Sequence, residues 1–180
     1  MAEPHATAVV IFDTRWGNTA HAAEALADGL KRAGNIDVST VFAPEVTPDL
    51  LESADLVVIG GPTEYFRASA HIRELFSRIG GYDLRGKLGF AFDTHAAGPL
   101  TGSAARTIER DLRALHLTIV EPRATAVTVR EGGAAGAFGL APGTADRFRA
   151  LGAALAKDLV AALAERRAHP PAEPTDTNWT

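Results

Sequence analysis

Short apolar runs alternate along the chain with longer stretches whose apolar residues recur at helical spacing. Apolar runs rich in β-branched residues are typical of strands buried on both faces, and helical spacing predicts amphipathic helices. The predicted strands cover residues 8–12, 36–42, 56–59, 88–92 and 117–120. Because strands and helices alternate, we predict a parallel sheet with helices on both faces, an α/β sandwich of five strands.

The boundaries of the intervening helices are predicted from residues that favour helix ends. These residues are Gly34 after the first helix, Thr47 and Pro48 at the start of the second, Ser69 and Gly80 around the third, Ser103 before the fourth and Thr144 as the cap of the long fifth helix. Residues 124–129 alternate, which predicts either an extension of the fifth strand or an added edge strand. Residues 132–143 are rich in glycine and alanine and predict a flexible surface loop.

The composition is that of one compact globular domain, with 46% apolar and 22% charged residues among 180. We expect this domain over residues 1–167 and a disordered tail over 168–180, where three prolines occur and no core-forming run does. The absence of cysteine excludes disulfides and thiolate metal sites. Because the histidines show no metal-ligand spacing, no metal is expected.

The charge and the apolar pattern narrow the choice of partners and compartment. A net charge of −4 gives no electrostatic reason to bind nucleic acid or an anionic membrane. No apolar run approaches the ~18 residues of a membrane span, and the first residues show no signal-peptide pattern. A cytoplasmic protein is therefore expected.

Candidate chemistry lies in the segments that follow the first, third and fourth strands, because ligands of open α/β sheets bind beyond the carboxyl ends of the strands. The segment 13–19 joins the first strand directly to a helix. Its hydroxyl, amide and glycine residues, together with the helix N-terminus, form either a phosphate cradle or an ordinary capped turn. The residues that favour the cradle are Thr14, Gly17, Asn18 and Thr19.

Three segments resemble the cofactor-binding loops of the flavodoxin family. The first resembles the family's phosphate loop, Thr/Ser-x-Thr-Gly-Asn-Thr, with Trp16 in place of the usual hydroxyl residue. The second, residues 60–66, is similar to the Pro-Thr-aromatic loop that packs on the isoalloxazine ring. The third, residues 92–95 continuing to 102–105, is similar to the other flavin-contacting loop. The resemblance covers about residues 8–165.

The resemblance implies a flavodoxin-like three-layer sandwich with a five-stranded parallel sheet in the order 2-1-3-4-5, and FMN as cofactor. The residues that it implies for cofactor binding are Thr14, Arg15, Trp16, Gly17, Asn18, Thr19, Pro62, Thr63, Glu64, Tyr65, Phe66, Asp93, Thr94 and His95. Three roles stay open. Trp16 either shields the flavin edge or packs on the first helix, and Asp93 either accepts from the flavin or caps a helix. For His95, solvation at the surface is the more ordinary expectation.

Other nucleotide-binding folds with this alternation do not fit the sequence. No Gly-x-Gly-x-x-Gly follows the first strand and no Walker pattern is present, which excludes the usual dinucleotide and nucleoside-triphosphate sites. A phosphoryl-receiver domain needs an aspartate at the end of the third strand, where Gly60 and Gly61 stand instead.

We therefore expect an FMN-binding redox protein that carries electrons between cytoplasmic partners. One alternative is an NAD(P)H-dependent FMN quinone reductase, and a second is a flavodoxin-like binding module without flavin. Carriers of the family usually have a glycine in the second loop, where residues 65–68 have none, and Arg15, Arg67 and His95 add positive charge to the candidate loops. The carrier is preferred because no residue set for substrate turnover is identifiable. Its expected partners are FMN and either a redox protein or a small-molecule acceptor, and a homodimer is compatible with the sequence.

Overall fold

The computed structural model describes residues 5–98, 102–132 and 136–169. The strands are β1 Ala6–Phe12, β2 Ile36–Phe42, β3 Leu56–Glu64, β4 Arg67–Ala68, β5 Leu88–Ala96, β6 Thr118–Ile119, β7 Ala124–Arg130 and β8 Phe138–Leu140. The helices are α1 Asn18–Ala33, α2 Pro48–Ser53, α3 Ala70–Ile79, α4 Ala104–Ala114 and α5 Thr144–Ala168, with a short 3₁₀ helix at Ala43–Glu45.

The central sheet runs in the order β2-β1-β3-β5-β7-β8, and its first five positions are parallel. β6 pairs with the first residues of β5, at Leu88 and Gly89, and β7 pairs with the last five, from Phe92 to Ala96. β6 and β7 thus occupy one position of the sheet as an interrupted fifth strand. The predicted α/β architecture and strand order are confirmed, and 124–130 extends the fifth strand.

β3 and β5 are both longer than their apolar runs predict. β3 continues beyond Ile59 to Glu64, and β5 continues beyond Phe92 to Ala96. A Cβ atom at Gly60 would lie 2.1 Å from the Phe92 ring, so this position has to be glycine for the ring to pack across the sheet. The apolar pattern ends there although the strand pairing continues, and the extra residues carry the polar side chains of the cleft described below.

The prediction of an irregular loop over 132–143 is wrong for part of that segment. Phe138–Leu140 forms β8, which pairs antiparallel with β7 through Thr128 opposite Leu140 and Arg130 opposite Phe138. The Glu131 N–H donates to the Ala137 carbonyl at 2.8 Å, so the chain reverses at this point. Composition rich in glycine and alanine does not reveal this pairing, because the hydrogen bonds come from the backbone. Residues 133–135 lie outside the described part.

Two apolar layers cover the sheet. On one face, α1 and α5 pack on the sheet through buried Leu26, Leu30, Phe148 and Leu155. On the other face, the buried side chains come mainly from α3 and α4 and from the strands beneath them. Burial of each large apolar side chain contributes about 1.5–3 kcal/mol relative to its exposed state, so these layers fix the sheet whose carboxyl edge forms the cleft.

The start of α5 differs from the prediction. Gly143, in the left-handed region with φ 77°, is the cap of α5, whereas the predicted cap Thr144 is its first helical residue and is buried. α5 continues through Ala168, and residues 170–180 of the predicted tail lie outside the described residues. Within the described chain, every helix is too short or too polar to cross a bilayer.

Candidate functional site

A cleft of about 310 Å³ lies at the carboxyl edge of the sheet, where β1, β3 and β5 end. Its lining residues are Thr14, Arg15, Trp16, Asn18, Thr19, Pro62, Thr63, Glu64, Tyr65, Thr94, His95, Ala96, Thr128 and Phe138. Gly17, Phe66 and Asp93 are the predicted site residues that do not line it. The fold therefore brings the three predicted loops to one opening, at the edge where α/β sheets bind ligands.

The first loop has free hydrogen-bond donors at the start of α1. Gly17 adopts φ 83°, in the left-handed region that glycine tolerates, and the helix begins at the next residue. The His21 N–H makes the first helical hydrogen bond, to the Gly17 carbonyl at 3.0 Å. The N–H groups of Asn18, Thr19 and Ala20 precede that bond and have no acceptor within the helix. Together with the helix dipole they favour an anion.

The Thr14 hydroxyl is the clearest sign that this loop holds a ligand. Its Oγ1 atom is buried and has no hydrogen-bond partner among the described residues. A buried hydroxyl without a partner costs free energy, and a bound anion beside the helix terminus would accept its hydrogen bond. The donor set of the first loop therefore fits the phosphate group of FMN.

Two other side chains of the first loop hold neighbouring elements in place. The Thr19 hydroxyl is buried and lies 2.8 Å from the Thr94 hydroxyl, which joins α1 to the end of β5. The Asn18 side-chain amide donates to the Phe138 carbonyl of β8 at 3.0 Å. Asn18 thus ties the loop to the strand that sequence analysis missed, and Phe138 of that strand completes the cleft wall.

Asp93 lies behind the cleft. It is 0% exposed, and its Oδ2 atom accepts from the Thr63 hydroxyl at 3.0 Å, the Ser103 hydroxyl at 2.9 Å and the Ala105 N–H at 3.1 Å. Its Oδ1 atom accepts from the Thr125 hydroxyl at 2.7 Å. Asp93 thus contacts the first turn of α4 through the Ala105 N–H and links the end of β3 to the start of β7, while its contact with the flavin stays a prediction.

The second loop is a hairpin turn in a costly conformation. Tyr65 and Phe66 connect β3 to β4 and have φ angles of 47° and 68°. Residues other than glycine rarely adopt this region of backbone conformation, because it costs about 1–2 kcal/mol per residue. The Tyr65 and Phe66 side chains are 91% and 64% exposed. Tyr65 thus lines the cleft with little packing of its own, and the exposed Phe66 follows it in the same turn.

Trp16 of the first loop also lines the cleft. Its side chain is 77% exposed, so it does not pack into the first helix. The Arg15 guanidinium lies over its ring, 5.5 Å from the centroid, and reaches Glu64 at 3.9 Å. The Arg15–Glu64 ion pair therefore links the first loop to the second, although an exposed ion pair contributes little stability.

His95 is less solvated than the sequence predicts. Its side chain is 18% exposed and lines the cleft, and its Nδ1 atom lies 3.8 Å from Asp93 Oδ1. Another histidine–carboxylate pair, which the sequence did not indicate, joins His71 of α3 to the buried Asp13 at the start of the first loop, at 3.1 Å. Among the residues that the structure describes, no group of acidic or imidazole side chains could hold a metal ion.

The flavodoxin family model matches residues 10–131. The type A flavoprotein fprA of Rhodobacter capsulatus is 32% identical over 120 residues, which are 64% of this chain and 27% of that protein. The flavodoxin of Clostridium saccharobutylicum is 31% identical over 85 residues, which are 47% of this chain and 53% of that protein. The chain thus spans about a quarter and about half the lengths of these two relatives.

Solved structures share the fold at lower identity. An archaeal flavodoxin superposes with a TM-score of 0.70 at 22% identity, covering 85% of this chain and 98% of that one. Rubredoxin oxygen:oxidoreductase of Desulfovibrio gigas superposes with a TM-score of 0.72 at 18% identity, covering 88% of this chain and 37% of that one. The family match extends over more than half of the sequence, and so the chain belongs to the flavodoxin family of FMN-binding redox proteins.

Proposed function

We propose that this protein is an electron carrier that holds FMN in the described cleft and exchanges electrons with cytoplasmic redox partners. The observation that carries this proposal is the buried, unpartnered Thr14 hydroxyl at the start of α1, in a cleft whose opening carries exposed aromatic side chains. When bound, FMN supplies the redox chemistry, since flavins accept one or two electrons. The protein supplies binding, orientation and the surrounding charge.

The phosphate is assigned to the first loop. The free N–H groups from Asn18 to Ala20 and the Thr14 hydroxyl supply donors without a lysine. Thr19 offers its backbone N–H to the phosphate, whereas its hydroxyl contacts Thr94. Gly17 contributes through its backbone conformation, which explains why it does not line the cleft.

The isoalloxazine ring is assigned to the space between the second and third loops. Tyr65 and Trp16 flank the opening, and an aromatic contact contributes about 0.5–1.5 kcal/mol beyond the area that it buries. Thr94, His95 and Thr128 offer polar groups on the inner wall. The flavin-free binding module loses its support, because the chain belongs to an FMN-binding family.

The carrier role is supported by the surface around the opening. Four of the six large exposed apolar side chains of the described residues belong to the loops and the strand around the cleft, which is typical of a contact surface. They are Trp16, Tyr65, Phe66 and Phe138. Arg67 adds a positive charge beside them and forms no ion pair with another described residue, so an acidic redox protein is the partner class that this surface suits.

A quinone reductase is the second candidate, favoured by one observation. A groove of about 290 Å³ adjoins the cleft and shares Glu64 and Tyr65 with it. Arg67 and Arg73 also line this groove, and neither forms an ion pair with another described residue. Two free guanidinium groups beside an aromatic ring suit an anionic co-substrate such as a phosphorylated nicotinamide dinucleotide.

The first experiment is the visible spectrum of the purified protein with chromatography of the acid-released cofactor. Flavin bands and FMN in the extract are expected, with FMN bound far more tightly than riboflavin. A protein that stays colourless after addition of FMN would contradict the assigned site. Sedimentation of the same sample measures whether the protein is a homodimer.

The second experiment separates the carrier from the reductase. For a carrier, NADPH consumption in the presence of a quinone is expected to stay at the background level. Steady consumption that falls in a variant with Arg67→Gln and Arg73→Gln would establish the reductase instead. The matched control replaces Arg85 and Arg110 by glutamine, because both are exposed and neither lines the cleft or the groove.

A further inference from the structure

Behind the wall of the cleft lies a carboxylate, Asp93, that has no full counterion nearby. Asp93 is completely buried, and its four close partners are three hydroxyls and one backbone N–H, none of which carries a formal charge. Burial of a carboxylate without a paired cation is costly, and hydrogen bonds offset that cost only in part. A positive charge placed beside Asp93 would therefore be stabilised strongly.

His95 is the side chain that can provide this charge. Its Nδ1 atom is buried and has no hydrogen-bond partner among the described residues, yet it lies 3.8 Å from Asp93 Oδ1. The same side chain lines the cleft and keeps 18% exposure, which leaves a route for protons from solvent. A neutral imidazole with its proton on Nε2 leaves Nδ1 without a partner, whereas uptake of a second proton on Nδ1 gives an imidazolium that forms an ion pair with Asp93.

The other charged groups near the cleft contact neighbours other than His95: the Arg130 guanidinium of β7 lies over the Phe138 ring, 4.8 Å from its centroid. Glu64 at the end of β3 and Arg15 of the first loop face each other at 3.9 Å across the cleft, so their charges largely offset. From α5, the Arg147 guanidinium donates to the Thr125 carbonyl of β7. Asp93 is the charged group closest to His95 on its own strand.

We propose that Asp93 and His95 form a redox-linked proton site, in which His95 takes up a proton when the cleft gains negative charge and releases it on reoxidation. This inference rests on the proposed function, because it places the redox cofactor in this cleft. The electrons come from an external donor, and the proton comes from solvent to Nδ1 of His95. The negative charge of the electrons is thus balanced by an imidazolium beside Asp93. His95 is the titrating group, and Asp93 is its positioning residue.

NMR titration of the histidine imidazoles tests the pair directly in the FMN-loaded protein, once oxidised and once reduced with dithionite under argon. The His95 imidazole is expected to bind its proton at least tenfold more tightly in the reduced protein. His116 is the internal control, since it pairs with Asp83 at the exposed surface, 3.1 Å away, and lies outside the cleft lining. It should titrate identically in both states. Identical titration of His95 in both states would overturn the proposal.

The pH dependence of the reduction potential gives a second readout. In the wild-type protein the potential should fall with pH across the range in which His95 titrates, and His95→Gln should lose that part of the dependence. His116→Gln should retain it. An unchanged pH dependence in His95→Gln would also overturn the proposal.

Asp93→Asn tests the positioning role. This variant should lower the proton affinity of His95 in both states, and His95→Gln remains the decisive variant where Asp93→Asn does not fold. Failure of the proposed function has a different signature, because the wild-type protein would then bind no FMN. A protein that binds FMN but shows no redox-dependent titration of His95 contradicts the proton site alone.

Discussion

At the residue scale, Thr14 illustrates a side chain that serves a ligand rather than the fold. Its hydroxyl is buried without a partner, and hydrogen bonds to a charged group contribute about 1.5–3 kcal/mol. Thr14→Ala is therefore expected to weaken FMN about tenfold or more and to leave riboflavin affinity unchanged. Because an unpartnered buried hydroxyl is removed, the melting temperature of the apoprotein should stay the same or rise. Calorimetric titration and thermal unfolding measure these effects.

The control for this prediction is Thr40→Ala, the same change at an exposed position of β2. It should alter neither FMN nor riboflavin affinity. Equal losses of FMN and riboflavin affinity in Thr14→Ala would show that the hydroxyl does not face the phosphate. A lower melting temperature of the apoprotein would show that Thr14 has a structural partner.

The first loop can be identified from the sequence, whereas the contacts of Asp93 cannot. The difference is how far apart along the chain the residues of each site lie. The donors around Thr14 are consecutive in the chain, so a local motif identifies them. The partners of Asp93 come from residue 63, residues 103–105 and residue 125, which only the folded sheet brings together. For His95, burial decides the role, and burial depends on β7 and β8 beside it.

At the element scale, the β3–β4 hairpin keeps two aromatic residues in a conformation that favours glycine. Phe66 has φ 68° and is largely exposed. Phe66→Gly is therefore expected to raise the free energy of unfolding of the apoprotein by about 1 kcal/mol, because glycine adopts this region without strain. Urea unfolding measures the change.

Tyr82→Gly is the matched control for the hairpin. Tyr82 is also a partly exposed aromatic residue, but its backbone is not in the left-handed region. Glycine there should destabilise the protein, since only the flexibility of the unfolded chain increases. A destabilising Phe66→Gly would show that the ring packs on its neighbours more than its exposure indicates. A stabilising change would show that the aromatic pair is retained at a cost, as expected of residues at a functional site.

The contact between α1 and α5 depends on two glycines that let the helix backbones approach. A Cβ atom at Gly152 would lie 2.1 Å from the Leu26 carbonyl oxygen, and one at Gly29 would lie 2.0 Å from the Arg149 carbonyl oxygen. Gly152→Ala is expected to lower the free energy of unfolding by about 1–3 kcal/mol, although alanine favours an isolated helix by about 1 kcal/mol. Urea unfolding at neutral pH measures the loss.

Gly81→Ala provides the comparison, because a Cβ atom there meets no other atom within 4 Å. Its effect should be small. A neutral or stabilising Gly152→Ala would mean that the two helices can separate at little cost. The helix stripes predicted both helices from sequence, but the glycines on their facing surfaces showed no signal, because close approach is a property of two helices and not of one.

Prediction of the sheet from sequence is limited in the same way, because strand pairing is a property of two strands and not of one. The buried strands have apolar runs that specify them, whereas β8 is a short stretch, Phe138–Leu140, that pairs through its backbone. Its contribution to the cleft, through Phe138, was therefore also missed. What the apolar pattern predicts is the layered core, and what it omits is the polar edge of the sheet where the candidate site lies.

At the scale of the whole molecule, the response to acid depends on carboxylates whose partners lie on other elements. Asp28 of α1 accepts from Arg149 of α5 at 2.8 Å and from Arg32 of its own helix at 2.7 Å. The hydrogen bond from Arg149, followed by that from Arg32, lowers the pKa of Asp28 below its usual value. The same carboxylate raises the pKa of Arg149. This charged link joins the two helices that cover one face of the sheet.

Because the pKa of Asp28 is lowered in the folded state, the direction in which stability changes with pH is determined. Between that lowered value and the ordinary value near 4, the unfolded chain binds more protons than the folded one, so stability rises with pH across this window. The contribution of Asp28 is thus fully present above about pH 4–5 and is lost as pH falls through the folded-state pKa. Because both partners are partly exposed, added salt should reduce it.

Asp28→Asn should therefore be less stable than the wild type near pH 7, with a difference that shrinks as the pH falls below about 4. Urea unfolding at pH 7, 5 and 3.5, with and without added salt, measures this difference. Asp49→Asn, at an exposed residue of α2 without an ion pair among the described residues, is the control and should show no such convergence. A difference between Asp28→Asn and wild type that stays constant down to pH 3.5 would assign the effect to the shape of the side chain rather than to its charge. Convergence of the two curves would assign the effect to the charge of Asp28 in the contact between α1 and α5.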